Sequence, residues 1–154
     1  VHDIAVADRI IWVCTSGGVI GLNMHTAEQV RITTQQGLPS NYTKSMLLAN
    51  NNLWIGTDNG LCCYNLFHKQ IRTFATQPQL ANMSFSVNAA CQLPDGRLAF
   101  GSNNGVVLFI PAKLIQFILR DVSIFRIYMY RDALFGKRLI LIYLFLSTVF
   151  LHCI

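Results

Sequence analysis

An all-β fold, a partial β-propeller of about three four-stranded antiparallel blades, is predicted for residues 1–116 of this 154-residue chain. One short pattern, in which apolar and aromatic residues precede a small residue and a turn, begins at Ile11, Leu53 and Leu98. Its period of 42 and then 45 residues lies in the range of four-stranded propeller blades. Because complete propellers have typically four to eight blades, the three copies predict part of a larger ring.

The strands follow from alternation and turn residues, and the middle copy is the clearest. Asn50-Asn51-Asn52 tolerates positive φ, and Asn59-Gly60 is the dipeptide favoured by a type I′ hairpin. The blades are placed at about 1–40, 41–80 and 81–116. Their predicted strands are Asp3–Ala7, Ile10–Thr15, Val19–Asn23 and Gln29–Thr34; Thr43–Ala49, Leu53–Thr57, Leu61–Leu66 and Lys69–Ala75; and Ser86–Gln92, Arg97–Ser102 and Val106–Ile110, with no fourth strand in the last blade.

Aromatic residues recur on the second strands, as Trp12, Trp54 and Phe100, each beside a small residue. A large side chain next to a small one lets twisted sheets stack face to face, although an aromatic ring there could also stack on a sugar. The structural interpretation is favoured, because apolar side chains that recur at the repeat period usually build a shared core. Cys14 takes the position of Gly56 and is interpreted as a small packed residue.

Composition excludes several classes of function. The net charge of +5 arises in the tail, since residues 1–112 carry six basic and five acidic side chains, so a nucleic-acid partner is not expected. The cysteines show no spacing typical of a zinc site or a disulfide framework, and neither a metal nor a cofactor is predicted. They are Cys14, Cys62, Cys63, Cys91 and Cys153.

No catalytic motif is present, so catalysis is not expected of this chain. Turn formation explains Asp58 and Asp95, and the other acids, Asp3, Asp8 and Glu28, are scattered. The histidines, His2, His25, His68 and His152, occur singly. Asn41-Tyr42 and Asn103-Asn104 lie in loops, where amides and an aromatic face suit sugar hydroxyls and ordinary turns equally well. No catalytic, metal, cofactor or ligand-binding residue is therefore assigned.

The repeats resemble the two-component regulator propeller family. The resemblance covers about residues 1–116 and is carried by residues 52–61, then Tyr64-Asn65, and by 37–41 ahead of the next blade. Phe85, residues 88–90, Asp95-Gly96, residues 100–105 and Phe109 before Pro111 resemble the last blade before such propellers give way to an immunoglobulin-like domain. Two positions depart from the family pattern: Cys14 replaces a glycine, and Ile110 stands where asparagine is common.

The resemblance implies the C-terminal blades of a periplasmic glycan sensor, anchored in the inner membrane as part of a hybrid histidine kinase. Its partners would be the remaining blades, the immunoglobulin-like domain and a glycan or oligosaccharide. Two other functions stay open: a fragment of a carbohydrate-active propeller enzyme, such as a lyase or glycosidase, and a small membrane-anchored interaction protein.

The tail, residues 117–154, is apolar and basic and is expected to be helical or disordered. It holds eight of the seventeen aromatic residues and one glycine. Leu139–Leu151 is almost wholly apolar and extends to Ile154, about 16 residues, slightly short of a bilayer span. Lys137 and Arg138 precede it, a charge order that conflicts with a periplasmic propeller. Two interpretations remain, a short membrane segment and the product of a broken reading frame, and the composition favours the second.

Overall fold

Three β-sheets make up the part of the chain that the structure, a computed structural model, describes. That part comprises residues 1–74, 80 and 82–114, together with the backbone of two strands at 126–131 and 138–143. The strands of sheet one are β1 (Asp3–Ala7), β2 (Ile10–Thr15), β3 (Gly18–Asn23) and β4 (Gln29–Ile32). Those of sheet two are β5 (Thr43–Ala49), β6 (Asn52–Thr57), β7 (Gly60–Asn65) and β8 (Gln70–Thr73). Sheet three contains β9 (Phe85–Gln92), β10 (Leu98–Ser102) and β11 (Gly105–Phe109).

Sheets one and two each pair their four strands in sequence order as an antiparallel meander. The predicted partial propeller of four-stranded antiparallel sheets is confirmed. β4 ends at Ile32, two residues before the predicted end, because Thr33 caps a 3₁₀-helix at Thr34–Gln36. The Thr33 hydroxyl accepts from the N–H of Gln35, and the Gln36 side chain returns to the N–H of Thr33.

Sheet two lies between the other two sheets, so both of its faces are buried. Every residue of β6 is buried, and successive residues point to opposite sides. Leu53 and Ile55 belong to the core shared with sheet one, whereas Trp54 belongs to the core shared with sheet three. The described residues therefore form two apolar cores, each lying between a pair of neighbouring sheets.

The recurring aromatic residues are structural, as the sequence predicted. Trp12, Trp54 and Phe100 are at most 2% exposed, which leaves no ring face for a sugar. Phe100 is not, however, equivalent to the two tryptophans. It pairs with Val107, as Ile55 pairs with Cys62, and it faces back toward sheet two. Ala99, one residue earlier, stands at the tryptophan position. Since a shift of one residue along a strand moves a side chain to the other face, Phe100 lies on the face opposite to that of the tryptophans.

Sheet three continues into the tail. β13 (Arg138–Tyr143) runs parallel to β11, and β12 (Arg126–Arg131) pairs antiparallel with β13. The expectation that the third blade has no fourth strand is therefore wrong, since β13 occupies that side of β11. The expected helix or disorder is also not what the structure shows at 126–131 and 138–143. The physical reason is the open edge of β11, whose unpaired N–H and C=O groups can bind a further strand.

Most of the tail, residues 117–154, lies outside the described residues. The residues outside the description include 115–125, 132–137 and 144–154, and with them most of the apolar run that was interpreted either as a short membrane segment or as the product of a broken reading frame. Among the residues that are described, no helix is both long enough and apolar enough to span a membrane.

Candidate ligand-binding rim

The three sheets approach one another most closely through their first strands, β1, β5 and β9. Hydrogen bonds join the starts of these strands. His2 Nδ1 donates to the carbonyl oxygen of Thr43 at 2.6 Å, and Lys44 Nζ donates to Ser84 Oγ at 2.9 Å. Farther along, the N–H of Met46 donates to Asp3 Oδ2 at 2.7 Å. The first strands thus begin together, at one face of the stacked sheets.

The turns between the second and third strands lie on this same face. The N–H of Gly18 donates to the carbonyl of Asn41 at 2.7 Å, and that of Asp58 donates to Tyr42 at 3.1 Å. In sheet three, the N–H of Asn103 donates to the carbonyl of Ser84 at 2.9 Å. The structure therefore brings both loop segments singled out in the sequence, Asn41-Tyr42 and Asn103-Asn104, to one face.

Lys44 holds a special position in β5. Thr43 pairs with Thr57 and Ser45 pairs with Gly56, so Lys44 is the extra residue of a β-bulge. Bulges redirect a side chain away from the regular alternation of the strand. The ammonium group of Lys44 lies 5.6 Å from the centre of the Tyr42 ring, within the range of a cation–π contact.

His2 and Tyr42 complete the cluster. Their rings lie 5.1 Å apart with an interplanar angle of 40°, and Tyr42 is 41% exposed. The name axial rim is used below for His2, Tyr42, Lys44, Ser84 and Asn103. This set combines an aromatic face, a cation, a hydroxyl and an amide, which are the groups needed to stack on a sugar ring and to hydrogen-bond its hydroxyls.

The charge at the rim is not neutralised by an ion pair among the described residues, where Asp95 and Arg97 form the one salt bridge. That pair lies in the turn before β10, where a hydrogen bond from the Arg97 N–H holds the pKa of Asp95 below its usual value. Asp3 directs both carboxylate oxygens to backbone N–H groups, those of Ile4 and Met46. The charge of Lys44 is therefore not paired with a carboxylate, and its bond to Ser84 uses one of its three N–H donors.

Sequence reasoning missed His2, Lys44 and Ser84. His2 was interpreted as an isolated surface histidine, and neither of the other two residues belongs to a motif. The contact between Lys44 and Ser84 joins residues 40 positions apart, so local alternation gave no signal for it. The other histidines of the described part, His25 and His68, lie exposed in turns, and His152 lies outside it.

The buried cysteines do not contribute chemistry at the rim. Burial raises the pKa of Cys14 to about 12, although a hydrogen bond with Thr43 acts to lower it. Burial likewise raises the pKa of Cys63 to about 12. Burial also raises the pKa of Cys62 well above its usual value. A reactive cysteine needs a lowered pKa, so these thiols are unreactive packing groups. No group of three or more potential metal ligands occurs among the described residues.

Comparison with known proteins agrees with this architecture. A family model described as two component regulator propeller matches residues 37–59, which span the connection from sheet one and the first two strands of sheet two. No curated protein sequence matches the chain.

Solved structures share the fold. The extracellular domain of BT3049 from B. thetaiotaomicron, described as a hybrid two component system, matches with a TM-score of 0.66 at 21% identity, over 84% of this chain and 17% of that domain. The extracellular domain of BT4673 from the same organism, described as a one component system, matches with a TM-score of 0.60 at 21% identity, over 72% of this chain and 15% of that domain. The chain thus spans less than a fifth of the length of these structures.

Proposed function

Since residues 37–59 carry a two-component regulator propeller repeat, we propose that the chain is part of the ligand-sensing propeller of a two-component signal transduction sensor. In the intact protein, the propeller binds a glycan or oligosaccharide at the axial rim. The observation that carries this proposal is the exposed Tyr42 ring beside the bulged Lys44, on the face where the first strands of all three sheets begin.

The chemistry of the rim supports a saccharide over an apolar ligand. A sugar presents a C–H face to an aromatic ring and hydroxyls to the surrounding donors and acceptors. Tyr42 offers the ring, while Lys44, Ser84 and Asn103 offer an ammonium, a hydroxyl and an amide. A carboxylate or sulfate on the glycan would in addition pair with Lys44.

The parent protein is proposed to expose this propeller in the periplasm. The similar solved structures are extracellular domains, which supports a location outside the cytoplasm. Further blades, an immunoglobulin-like domain and a histidine kinase are the proposed partners that would convert binding into a signal.

We propose that the chain binds its ligand without transforming it. A hydrolase or lyase would need acid and base groups that converge on the ligand. Asp3 is occupied by backbone N–H groups, and Asp95 by Arg97. His2, which lies beside Tyr42 at the rim, uses its Nδ1 in the hydrogen bond to Thr43.

Calorimetric titration of the intact propeller region against a panel of neutral and acidic oligosaccharides tests the proposal. We expect saturable binding of at least one saccharide, and a loss of about tenfold or more in affinity for Tyr42→Ala and for Lys44→Met. A lack of binding to every saccharide would refute the glycan ligand.

Phe67→Ala is the matched control. Phe67 is 79% exposed in the turn between β7 and β8. The neighbouring N–H of Leu66 donates to Asn51, which places this turn at the end of the sheets opposite the rim. Its replacement should leave the affinity unchanged. Binding that survives in Tyr42→Ala and Lys44→Met would place the ligand elsewhere on the propeller.

A further inference from the structure

Asparagine precedes glycine at two places, Asn59-Gly60 and Asn104-Gly105, and both pairs lie in the turn between the second and third strands of a sheet. This dipeptide is especially open to spontaneous deamidation, because glycine has no side chain to hinder the approach of its backbone nitrogen to the asparagine side chain. The nitrogen loses its proton and attacks Cγ, the side-chain nitrogen leaves as ammonia, and water then opens the cyclic imide to aspartate or isoaspartate. Water is the only co-reactant.

The two turns have the same local structure. In each, a side-chain hydroxyl accepts from the N–H of the asparagine and donates to the carbonyl of the glycine. These two distances are 3.1 and 2.8 Å for Thr57 Oγ1, and 3.3 and 3.0 Å for Ser102 Oγ. The glycine has a positive φ in both turns, 112° at Gly60 and 128° at Gly105. The conformation of the turn therefore does not distinguish the two asparagines.

The two glycines differ in their contact with a following sheet. Gly60 is buried, and its N–H donates at 2.8 Å to the carbonyl of Met83, which lies just before sheet three. Gly105 is only half-buried, and no sheet follows its own among the described residues, so that part of the chain offers it no equivalent acceptor. A hydrogen bond from the glycine N–H opposes the loss of the proton that the attack requires. The packing of sheet three therefore protects Asn59 but not Asn104.

We propose that Asn104 is a site of spontaneous deamidation in the folded chain, whereas Asn59, in the same turn of sheet two, is protected. Asn104 follows Asn103 of the axial rim, whose N–H donates to the carbonyl of Ser84. Each event replaces a neutral amide by a carboxylate, which adds a negative charge to the face that carries Lys44. The modification thus weakens the attraction of the rim for an acidic glycan. That consequence rests on the proposed function, but the modification itself does not.

Incubation of the full chain at pH 8, followed by peptide mapping with mass spectrometry, tests the proposal, because the conversion of an amide to an acid changes the mass of its peptide. In the folded chain we expect Asn104 to be modified about fivefold or more faster than Asn59, since only the glycine after Asn59 is held by a hydrogen bond to the next sheet. In guanidinium chloride, where both turns are open, the two rates should become similar. Equal rates in the folded chain, a faster rate at Asn59, or modification of Asn104 only after unfolding would overturn the proposal.

Two matched variants identify the source of the new charge. Asn104→Gln should remove most of the acidic form that accumulates on ion-exchange chromatography of the folded chain, because glutamine deamidates far more slowly. Asn59→Gln should leave the amount of this form unchanged. An acidic form that persists in Asn104→Gln but disappears in Asn59→Gln would place the modification in sheet two, against the proposal.

Discussion

Gly56 and Cys14 hold the same position in neighbouring sheets but meet different partners. A Cβ added at Gly56 would lie 2.9 Å from Cβ and Cγ of Phe85 and 2.8 Å from Oγ of Ser45. At Cys14 the facing residue is the smaller Thr43, which takes the register position of Phe85. A side chain larger than glycine therefore fits at position 14, because the residue opposite it is smaller than the phenylalanine opposite Gly56.

We expect Gly56→Ala to lower the free energy of unfolding by about 1–3 kcal/mol, because the added methyl group overpacks the contact with Phe85. Urea denaturation measures the effect. Gly17→Ala is the control, since the nearest atom to its added Cβ lies at 3.8 Å. In a Phe85→Thr background the further cost of Gly56→Ala should be smaller, because the contact that the added methyl group overpacks is gone. Equal effects of the two alanine substitutions would contradict this packing.

The buried thiols should resist modification in the folded chain. In a Cys153→Ser background, we expect the exposed Cys91 to react with a disulfide reagent at pH 8, and Cys14, Cys62 and Cys63 to react only after unfolding. Thiol titration with and without urea counts the two classes. Rapid modification of all four cysteines in the native protein would contradict the burial.

The same thiols predict a decline of stability in alkali. Burial raises the pKa of Cys14 and Cys63 from 9.0 to about 12, so the folded chain holds these protons over a range where the unfolded chain releases them. Their contribution to stability is complete below pH 9 and is lost as the pH rises toward 12, by about 1.4 kcal/mol per pH unit for each thiol. Urea midpoints at several pH values, compared with those of Cys14→Ala, would reveal this slope.

At the scale of the strand, alternation and turn residues were sufficient to predict where most strands lie. β1, β2 and β5 have their predicted bounds, because an apolar period of two and Asx or glycine turns are local signals. The bulge at Lys44 could not be predicted, since it is defined by pairing with β6 and not by composition. The grouping of Phe100 with Trp12 and Trp54 did not reveal that it lies on the other face of its strand, because the face depends on register.

Strands β1 and β5 are joined through Asp3, whose Oδ2 accepts from the N–H of Met46. We expect Asp3→Ala to destabilise the chain by about 1–3 kcal/mol in urea denaturation, because the N–H of Met46 loses its acceptor at a buried position. Glu28→Ala, at an exposed turn, should change stability by no more than about 0.5 kcal/mol. Indistinguishable effects of the two substitutions would refute the role of Asp3.

The pairing of β13 with β11 predicts a role for the tail. A chain that ends at residue 116 loses both β12 and β13, which exposes the edge of β11. We expect this shortened chain to aggregate faster than the full chain at equal concentration, as measured by light scattering. Slower aggregation of the shortened chain would indicate that the tail, and not the edge of β11, drives association.

At the scale of the whole molecule, the sequence predicted stacked sheets of a propeller but not the rim. The apolar repeats predict that neighbouring sheets share cores, and the structure places one core on each side of sheet two. The rim depends on contacts between His2, Tyr42, Lys44 and Ser84, which come from three separate sheets. Two of these contacts, His2 with Tyr42 and Lys44 with Ser84, join different sheets, so no local pattern could reveal them.

The arrangement of the sheets also predicts which of them is the most stable. Sheet two is covered on both faces, whereas Ile4 and Val6, on the face of sheet one that is directed away from sheet two, are more than half exposed. In a stack of repeats, stability is roughly the sum of each unit and its interfaces with neighbours. The central unit should therefore open least often.

Hydrogen–deuterium exchange of the full chain, followed by mass spectrometry, tests this arrangement most directly. We expect the amides of β6 and β7 to exchange most slowly, and those of β1 and β4 in sheet one to exchange faster. Uniform exchange across the three sheets, or slower exchange in β1 and β4 than in β6 and β7, would contradict a stack in which sheet two is the shared centre.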